Sequence, residues 1–516
     1  MRQENAGSDF QQGLTGEGNG APVRLERVID AQLKKNAEEK GFWWDGQWYS
    51  KADFLKLTDD CEASLRKSGF EKGQRLAVLM ANCPIIPALS LAVWRLGGTI
   101  SLLNVKSGMP SLLGTLELVD PFLVITSDAI RQEAGTALQE KGFNSVTCGP
   151  LGPLPEMKGK RSSLETPDTA VIFATSGTTG LPKAVPLSHG NLYDNCVSTW
   201  NALRDLKPDD IFLLVLPNFH SFGYTVTIIM PLMMGAALVV VPGFLPPNQT
   251  VRAIVESEAN VLLAVPTIFS YLLGAMDRGG APKDLFAKAK LMITGGDRLS
   301  PNLHEQALRI TGKDIMEGYG LTETSPVVAV NRSYEEHRQG TVGPFLKGYE
   351  WQLRTEKGLK TDKNEGVLWV RGPSVTKGYF QAPDMTAERF DGDWFNTGDY
   401  VRIEDGYITI LDRVTDIIIV GGFNVYPQEV ELVLHAHPAV QTAIVVGMPH
   451  PVNGEVPKAF IQKKEGAQIT ELEIVKYCKE QLAHFKVPRK IEFVDNFPLS
   501  GTGKILRRVL RERERE

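Results

Sequence analysis

Between the apolar run Ala170-Val171-Ile172-Phe173-Ala174 and the next predicted element, the chain reads Thr175-Ser176-Gly177-Thr178-Thr179-Gly180-Leu181-Pro182-Lys183. Glycines let a backbone approach an anion with no Cβ in the way, hydroxyls and exposed N–H groups donate to phosphate oxygens, and a lysine adds positive charge. The segment has the composition of a phosphate-holding loop. It is not a Walker A loop, because Gly180 is followed by Leu181-Pro182-Lys183 rather than by a lysine and a hydroxyl residue. Composition alone would equally suit a surface turn. Its weight comes from the motifs that follow: Gly295-Gly296-Asp297, then Glu317-Gly318-Tyr319-Gly320-Leu321-Thr322-Glu323-Thr324, Thr397-Gly398-Asp399, Asp412-Arg413 ahead of Gly421-Gly422, and Gly501-Thr502-Gly503-Lys504.

Short apolar runs such as Arg75 to Met80 and Asn260 to Val265 alternate with amphipathic stretches such as Lys51 to Ser68 and Asn302 to Thr311. This predicts an α/β protein with helix-covered sheets. A smaller β region is expected around Gly366 to Phe380 and Gly406 to Leu411. From Asp416 a fresh set begins: a helix from Pro427 to His435, strands near Thr442 to Val446 and Lys458 to Gln462, a helix from Glu471 to Leu482 and a strand near Ile491 to Val494. The expected organisation is a flexible tail over 1–24, a large N-terminal domain over 25–411, a junction at 412–415 and a small α+β C-terminal domain over 416–516.

With 516 residues the chain exceeds what one core organises, and a net charge of −5 with no long basic run argues against a nucleic-acid partner. Five scattered cysteines without CxxC spacing suit a reducing, cytoplasmic setting and offer no metal site. Residues 1–22 lack the apolar core of a secretory signal. Between Asp210 and Arg252 there is no Asp, Glu, Lys or Arg, but Pro231, Gly235 and Pro242 break this stretch into a helix, a turn and a strand, so a buried element is expected rather than a transmembrane segment. Apolar surface near it leaves peripheral membrane contact open, although no amphipathic anchor is evident.

In their order, these motifs resemble those of the adenylate-forming superfamily of acyl-CoA synthetases, peptide-synthetase adenylation domains and luciferases, over nearly the whole chain after the first two dozen residues. The resemblance implies ATP-dependent conversion of a carboxylic acid to an acyl-adenylate with release of pyrophosphate, then transfer of the acyl group to a thiol. It implies ATP, Mg²⁺ and coenzyme A, or the phosphopantetheine of an acyl carrier protein, as cofactors and partners. By the same resemblance Glu323 with Thr175 would hold the magnesium ion, and Thr322 would contact phosphate. Ser176, Gly177, Thr178, Thr179, Gly180 and Lys183 would cradle the phosphates. Tyr319, flanked by Glu317, Gly318 and Gly320, would stack on adenine against Gly295, Gly296 and Asp297. Asp399 and Arg413 would take the ribose hydroxyls, and Lys504 would reach the α-phosphate from a mobile C-terminal domain. Rotation of that domain about 412–415 would bring Gly421-Gly422 to a pantetheine tunnel, and at the pivot this chain has Thr415 where relatives carry Asp or Lys.

His220, Phe222 and Gly223 resemble the family's acyl-pocket segment. The charge-free stretch behind them suits an apolar acid, most simply a fatty acid, because amino-acid-activating relatives place an acidic residue there. Gly422-Phe423-Asn424-Val425-Tyr426-Pro427 is similar to fatty acyl-CoA synthetases, while His220-Ser221-Phe222-Gly223 with Gly340-Thr341-Val342-Gly343 is similar to bacterial acyl-carrier-protein synthetases, so the acceptor thiol stays open. An aryl or amino acid adenylating enzyme and a noncatalytic nucleotide-binding relative are the other readings. The retention of Thr322, Glu323 and Lys504 speaks against the last.

Overall fold

The computed structural model describes residues 23–514 apart from Met157, 163–165, Pro167, 177–181, Glu356 and 500–504. An eight-stranded sheet runs Val327–Val330, Met316–Gly320, Leu291–Thr294, Val261–Ala264, Ile211–Leu214, Ala237–Val240, Lys40–Trp44, Gln47–Ser50, parallel except at its two edges. A six-stranded sheet holds Arg75–Leu79 and Thr99–Leu102 at its centre and ends in the hairpin Thr169–Ser176 with Pro182–Ser188. The helix Ile85–Arg95 is buried at every position from Ile85 to Trp94, as an all-round apolar helix must be. The cluster around it draws Val78, Ile100 and Phe173 from one sheet and Phe42, Phe212 and Leu238 from the other, so one core serves both.

The charge-free stretch forms wide π-helical turns over Phe222–Ile229, an α-helical turn over Met230–Met234, a left-handed Gly235 and the strand Ala237–Val240. It is buried, as expected, and among the described residues no helix is long and apolar enough to cross a membrane. All five cysteines are free and buried.

The antiparallel β region is larger than the sequence suggested. It comprises Glu350–Arg354, Glu365–Arg371, Phe390–Asp391, Trp394–Glu404 and Tyr407–Arg413, and of the expected stretch Gly366 to Phe380 the part through Arg371 is strand. Strand Trp394–Glu404 escaped notice because two of its inward positions, Thr397 and Asp399, are polar, which hides the period-two pattern of Phe395 and Val401. Beyond Asp416, a five-stranded sheet carries the helices Pro427–His435, Glu471–Gln481 and Arg507–Arg513. Its central hairpin, Val440–His450 with Gly454–Lys463, runs longer than the sequence pattern because Pro449 and Pro457 interrupt the apolar runs without ending the pairing.

Helix His189–Ala202 starts at a Ser188–Asn191 capping box and carries Asn195, which is fully buried. Asn195 Nδ2 donates to the carbonyls of Thr324 and Val327 (3.1 and 2.8 Å), and its Oδ1 accepts from Val327 N at 3.1 Å. One side chain thereby satisfies three backbone groups of the turn that presents Thr322 and Glu323. Asn195→Ala is expected to cost about 2–4 kcal/mol, because it strands buried polar groups. A fall in the urea midpoint accompanied by weaker pyrophosphate release checks this.

Candidate active site

The turn Thr322–Thr324 is a single 3-10 turn fixed by Thr324, whose Oγ1 donates toward the carbonyls of Leu321 and Pro326 and accepts from Leu321 N at 3.0 Å. Tyr349 Oη also donates to Thr324 O at 2.7 Å. Thr322 Oγ1 lies 3.2 Å from Ser221 Oγ at the head of the π-helical segment. Glu323 accepts at both ends: its carbonyl from Thr376 N at 2.8 Å, its carboxylate from Tyr379 Oη at 2.8 Å. The Lys183 ammonium stands 5.4 Å from the centre of the Tyr379 ring.

A second constellation forms where the antiparallel sheet meets the large one. Cross-strand register sets Asp399 opposite Arg413, and Arg413 Nε lies 2.6 Å from Asp399 Oδ1. Tyr319 Oη donates to Asp399 Oδ2. Asp399 is 2% exposed, and its N–H donates to Thr397 Oγ1 at 3.1 Å. Burial and the neighbouring Asp399 carboxylate push the Tyr319 phenol well above its ordinary value, and Asp399 raises the Arg413 guanidinium.

Both constellations face a cavity of about 380 Å³. One part of its wall is cationic and polar, with Lys183, Thr322, Glu323, Tyr379, Arg389 and Arg413; another is apolar, with Leu203, Val226, Met230, Leu263, Ile293 and Val330. Gly295, Gly296, Gly318, Tyr319 and Gly320 also line it. A Cβ on Gly320 would sit 2.0 Å from Pro326 O, so only glycine lets the strand turn back here.

Of the residues singled out in the sequence, Lys183, His220, Phe222, Gly295, Gly296, Gly318, Tyr319, Gly320, Thr322, Glu323 and Arg413 line this cavity, and Asp399 joins them through Tyr319 and Arg413. Five do not line it. Asp297 is exposed and accepts from Arg298 N at 2.9 Å, so its side chain folds back onto the adjacent backbone. Glu317 is buried beneath the strand and accepts from Leu299 N at 3.4 Å, since its neighbours Gly318 and Met316 alternate onto other surfaces. Gly223 packs behind the wall, where a Cβ would meet Pro217 O at 2.4 Å. Gly421 and Gly422, with φ of 57° and 90°, form the two-residue turn joining strands Ile418–Val420 and Phe423–Val425. Their backbone conformation, rather than a close neighbour, explains both glycines, because nothing lies within 4 Å of a Cβ on Gly422. Gly177, Thr178, Thr179, Gly180 and Lys504 lie outside the described residues, as do the side chains of Thr175 and Ser176.

Sequence reasoning missed Tyr379 and Arg389, which stand in no recognised motif, and the wall residues Leu203, Leu263, Ile293 and Val330, which read as ordinary core, whereas Val226 and Met230 belong to the charge-free stretch it had set behind the acyl pocket. It also missed the seam between the two halves of the chain. Arg298 Nη1 donates to Gln428 Oε1 at 2.7 Å and Asn302 Nδ2 to His435 O at 2.8 Å, so the segment after Gly295-Gly296 grips helix Pro427–His435. At the junction, Arg511 Nη1 donates to Thr415 O (2.7 Å) and Arg507 pairs with Glu431 (2.6 Å). Burial pushes the Asp412 carboxyl up to about 7.

A cavity lined by cationic groups, a tyrosine–aspartate–arginine cluster and apolar side chains suits the joining of a nucleotide phosphate to an organic acid. The chain belongs to the AMP-binding enzyme family: residues 29–380 match that family, and residues 429–504 match the AMP-binding enzyme C-terminal domain. These are adenylate-forming acid–CoA ligases. The chain is 30% identical over 506 residues to the long-chain-fatty-acid–CoA ligase of Bacillus subtilis (strain 168), covering 90% of this chain and 89% of that protein. It is 33% identical over 461 residues to the 2-succinylbenzoate–CoA ligase of Bacillus mycoides (strain KBAB4), covering 89% and 92%. With the long-chain-fatty-acid–CoA ligase of Yersinia pestis it shares 36% over 368 residues, 69% of this chain but only 64% of that ligase's length. Among solved structures, ATP-bound MatB from Rhodopseudomonas palustris is similar with a TM-score of 0.85 at 29% identity, over 95% of this chain and 98% of that one.

Burial lifts the Glu317 carboxyl from 4.5 to about 7. The folded protein thus keeps a proton that the unfolded chain releases near its ordinary value. The stability from this extra proton binding is fully present below about pH 4.5 and is lost as pH rises through 7, about 3 kcal/mol in all. Glu317→Gln should therefore flatten the pH dependence of the urea midpoint between pH 4.5 and 7; an unchanged slope would contradict the assignment.

Proposed function

We propose that this protein activates a carboxylic acid, a fatty acid on our reading, as its acyl-adenylate and then transfers the acyl group to the thiol of coenzyme A. The observation that carries this is the single cavity in which a cationic, nucleotide-suited wall adjoins a charge-free apolar one. In the first half-reaction a carboxylate oxygen attacks the α-phosphorus of ATP, and the bond to pyrophosphate breaks. Two anions must meet, so positive charge has to be preorganised around them. Lys183, Arg389 and Arg413 supply it on the described side, and Lys504 is proposed to supply it from the C-terminal domain.

A divalent cation fits the donor set. Magnesium is held by one or two carboxylates plus substrate phosphates, and here Glu323 offers one carboxylate at the cavity wall. Among the described residues no cluster of three acidic, histidine or cysteine groups could hold an ion unaided. When bound, the ion would screen phosphate charge; Thr322 and the loop Thr175 to Gly180 are proposed to bind the phosphates. Tyr319 is proposed to lie against adenine between Gly295-Gly296 and Gly320, and Asp399 with Arg413 to take the ribose.

In the second half-reaction the thiol sulfur attacks the acyl carbon, its proton is released, and AMP leaves. We propose that the C-terminal domain, 416–516, turns about 412–415 between the two steps, which requires Arg298 and Asn302 to release helix Pro427–His435. A second reading is an aryl acid. The aryl-acid ligase among the relatives supports it.

Pyrophosphate release across a panel of fatty, aryl and amino acids, with coenzyme A and holo acyl carrier protein offered separately, tests the reading. Turnover with amino acids alone would overturn the substrate class. Lys504→Ala is expected to abolish adenylation while sparing thioester formation from supplied acyl-adenylate; equal loss of both half-reactions refutes its role. Asp399→Asn should raise the KM for ATP roughly 10- to 100-fold, the cost of a weakened charge-assisted hydrogen bond, with little change in the KM for the acid.

A further inference from the structure

Tyr379 is 6% exposed and belongs to the main apolar core, so packing fixes its ring. Its backbone is equally constrained. Tyr379 N donates to Thr386 Oγ1 at 2.9 Å, and Phe380 N donates to Ala184 O at 2.8 Å, tying the segment to the strand that bears Lys183. A Cβ on the preceding Gly378 would collide with Thr386 Cγ2 at 2.6 Å, which excludes other residues there. From this anchored position the phenol meets Glu323 Oε1 at 2.8 Å, while Thr376 N, three residues earlier, holds the Glu323 carbonyl at 2.8 Å. The same ring presents its face to the Lys183 ammonium.

A glutamate at a cavity wall has free side-chain torsions and would lose rotamer entropy on meeting a cation. A donor mounted on the core removes that cost beforehand. It occupies one of about four acceptor sites on the carboxylate and leaves the rest available. We infer that Tyr379 is a positioning residue that pre-aligns Glu323 for the divalent cation carried by ATP, and that it couples this carboxylate to the strand of Lys183. The inference rests on the proposed role of Glu323. Partners that orient a ligating carboxylate are commonly worth about 10- to 100-fold in metal affinity.

The test uses the full chain with a non-hydrolysable ATP analogue and Mn²⁺ as the probe, bound metal being read by electron paramagnetic resonance. Tyr379→Phe, which removes only the hydroxyl, is expected to weaken Mn²⁺ binding about 10- to 100-fold while leaving the thermal midpoint and metal-free nucleotide affinity as in the parent. The magnesium concentration for half-maximal pyrophosphate release should rise in step, with kcat recovering at saturating magnesium. Parental Mn²⁺ affinity in Tyr379→Phe alongside lost affinity in Glu323→Gln would overturn the inference and leave the role of Glu323 standing. Parental affinity in Glu323→Gln would overturn the role of Glu323 itself. As an independent check, Glu323→Asp draws the carboxylate back from the phenol, so adding Tyr379→Phe should then cost little more; fully multiplying losses would refute action through this hydrogen bond.

Discussion

The Asp399 carboxylate, held between the Tyr319 hydroxyl and the Arg413 guanidinium, is the contact on which the rest of this architecture depends. Its three members come from the large sheet, from strand Trp394–Glu404 and from the end of strand Tyr407–Arg413. A buried carboxylate survives only when paired and hydrogen-bonded, and loss of one partner leaves the others uncompensated. The cluster therefore ties the antiparallel sheet to the large one beside the cavity that Tyr319 and Arg413 line. Arg413 is also the last residue before the 3-10 turn Val414–Asp416, so the same side chain that meets Asp399 anchors the start of the domain junction.

Around that anchor, charge is distributed unevenly by design of the fold. Lys183 comes from the hairpin of the six-stranded sheet, Arg389 from the helix Pro383–Arg389, and Glu323 from a turn held by Asn195. The apolar wall comes from the end of helix His189–Ala202, from the π-helical segment and the turn after it, and from strands of the eight-stranded sheet. Neither sheet contains the whole cavity. Its existence follows from two sheets sharing one core with the π-helical segment and helix His189–Ala202 packed in it.

The seam to the C-terminal domain is polar where the core is apolar. Arg298 faces Gln428, with burial lowering its guanidinium against the nearby acids Glu317, Glu431 and Asp412. Directional hydrogen bonds of this kind hold one orientation firmly but can be exchanged for water, as the proposed turn of the C-terminal domain requires, unlike a large hydrophobic contact. The segment that carries Gly295 and Gly296 also carries Arg298, so the cavity wall and the seam are continuous along the chain.

The α/β class, the family and the buried nature of the charge-free stretch were legible in the amino-acid order, because glycine-rich turns, periodic apolar residues and the absence of charge leave local marks. Lys183, Tyr319, Thr322, Glu323, Asp399 and Arg413 could be named from their motifs. Strand Trp394–Glu404 could not be seen, since its buried Thr397 and Asp399 break the hydrophobic rhythm. Tyr379 stood in no motif and went unnamed, and Asp297, named beside Gly295-Gly296, is exposed and outside the cavity lining, because motif position says nothing of where a side chain lies relative to residues a hundred positions away. What the sequence determined alone was which chemistry-bearing groups exist and the elements that carry them. What only tertiary structure decided was which of them share a cavity, for long-range packing of two sheets, not local propensity, sets the distance from Tyr379 to Glu323 and from Asp399 to Tyr319.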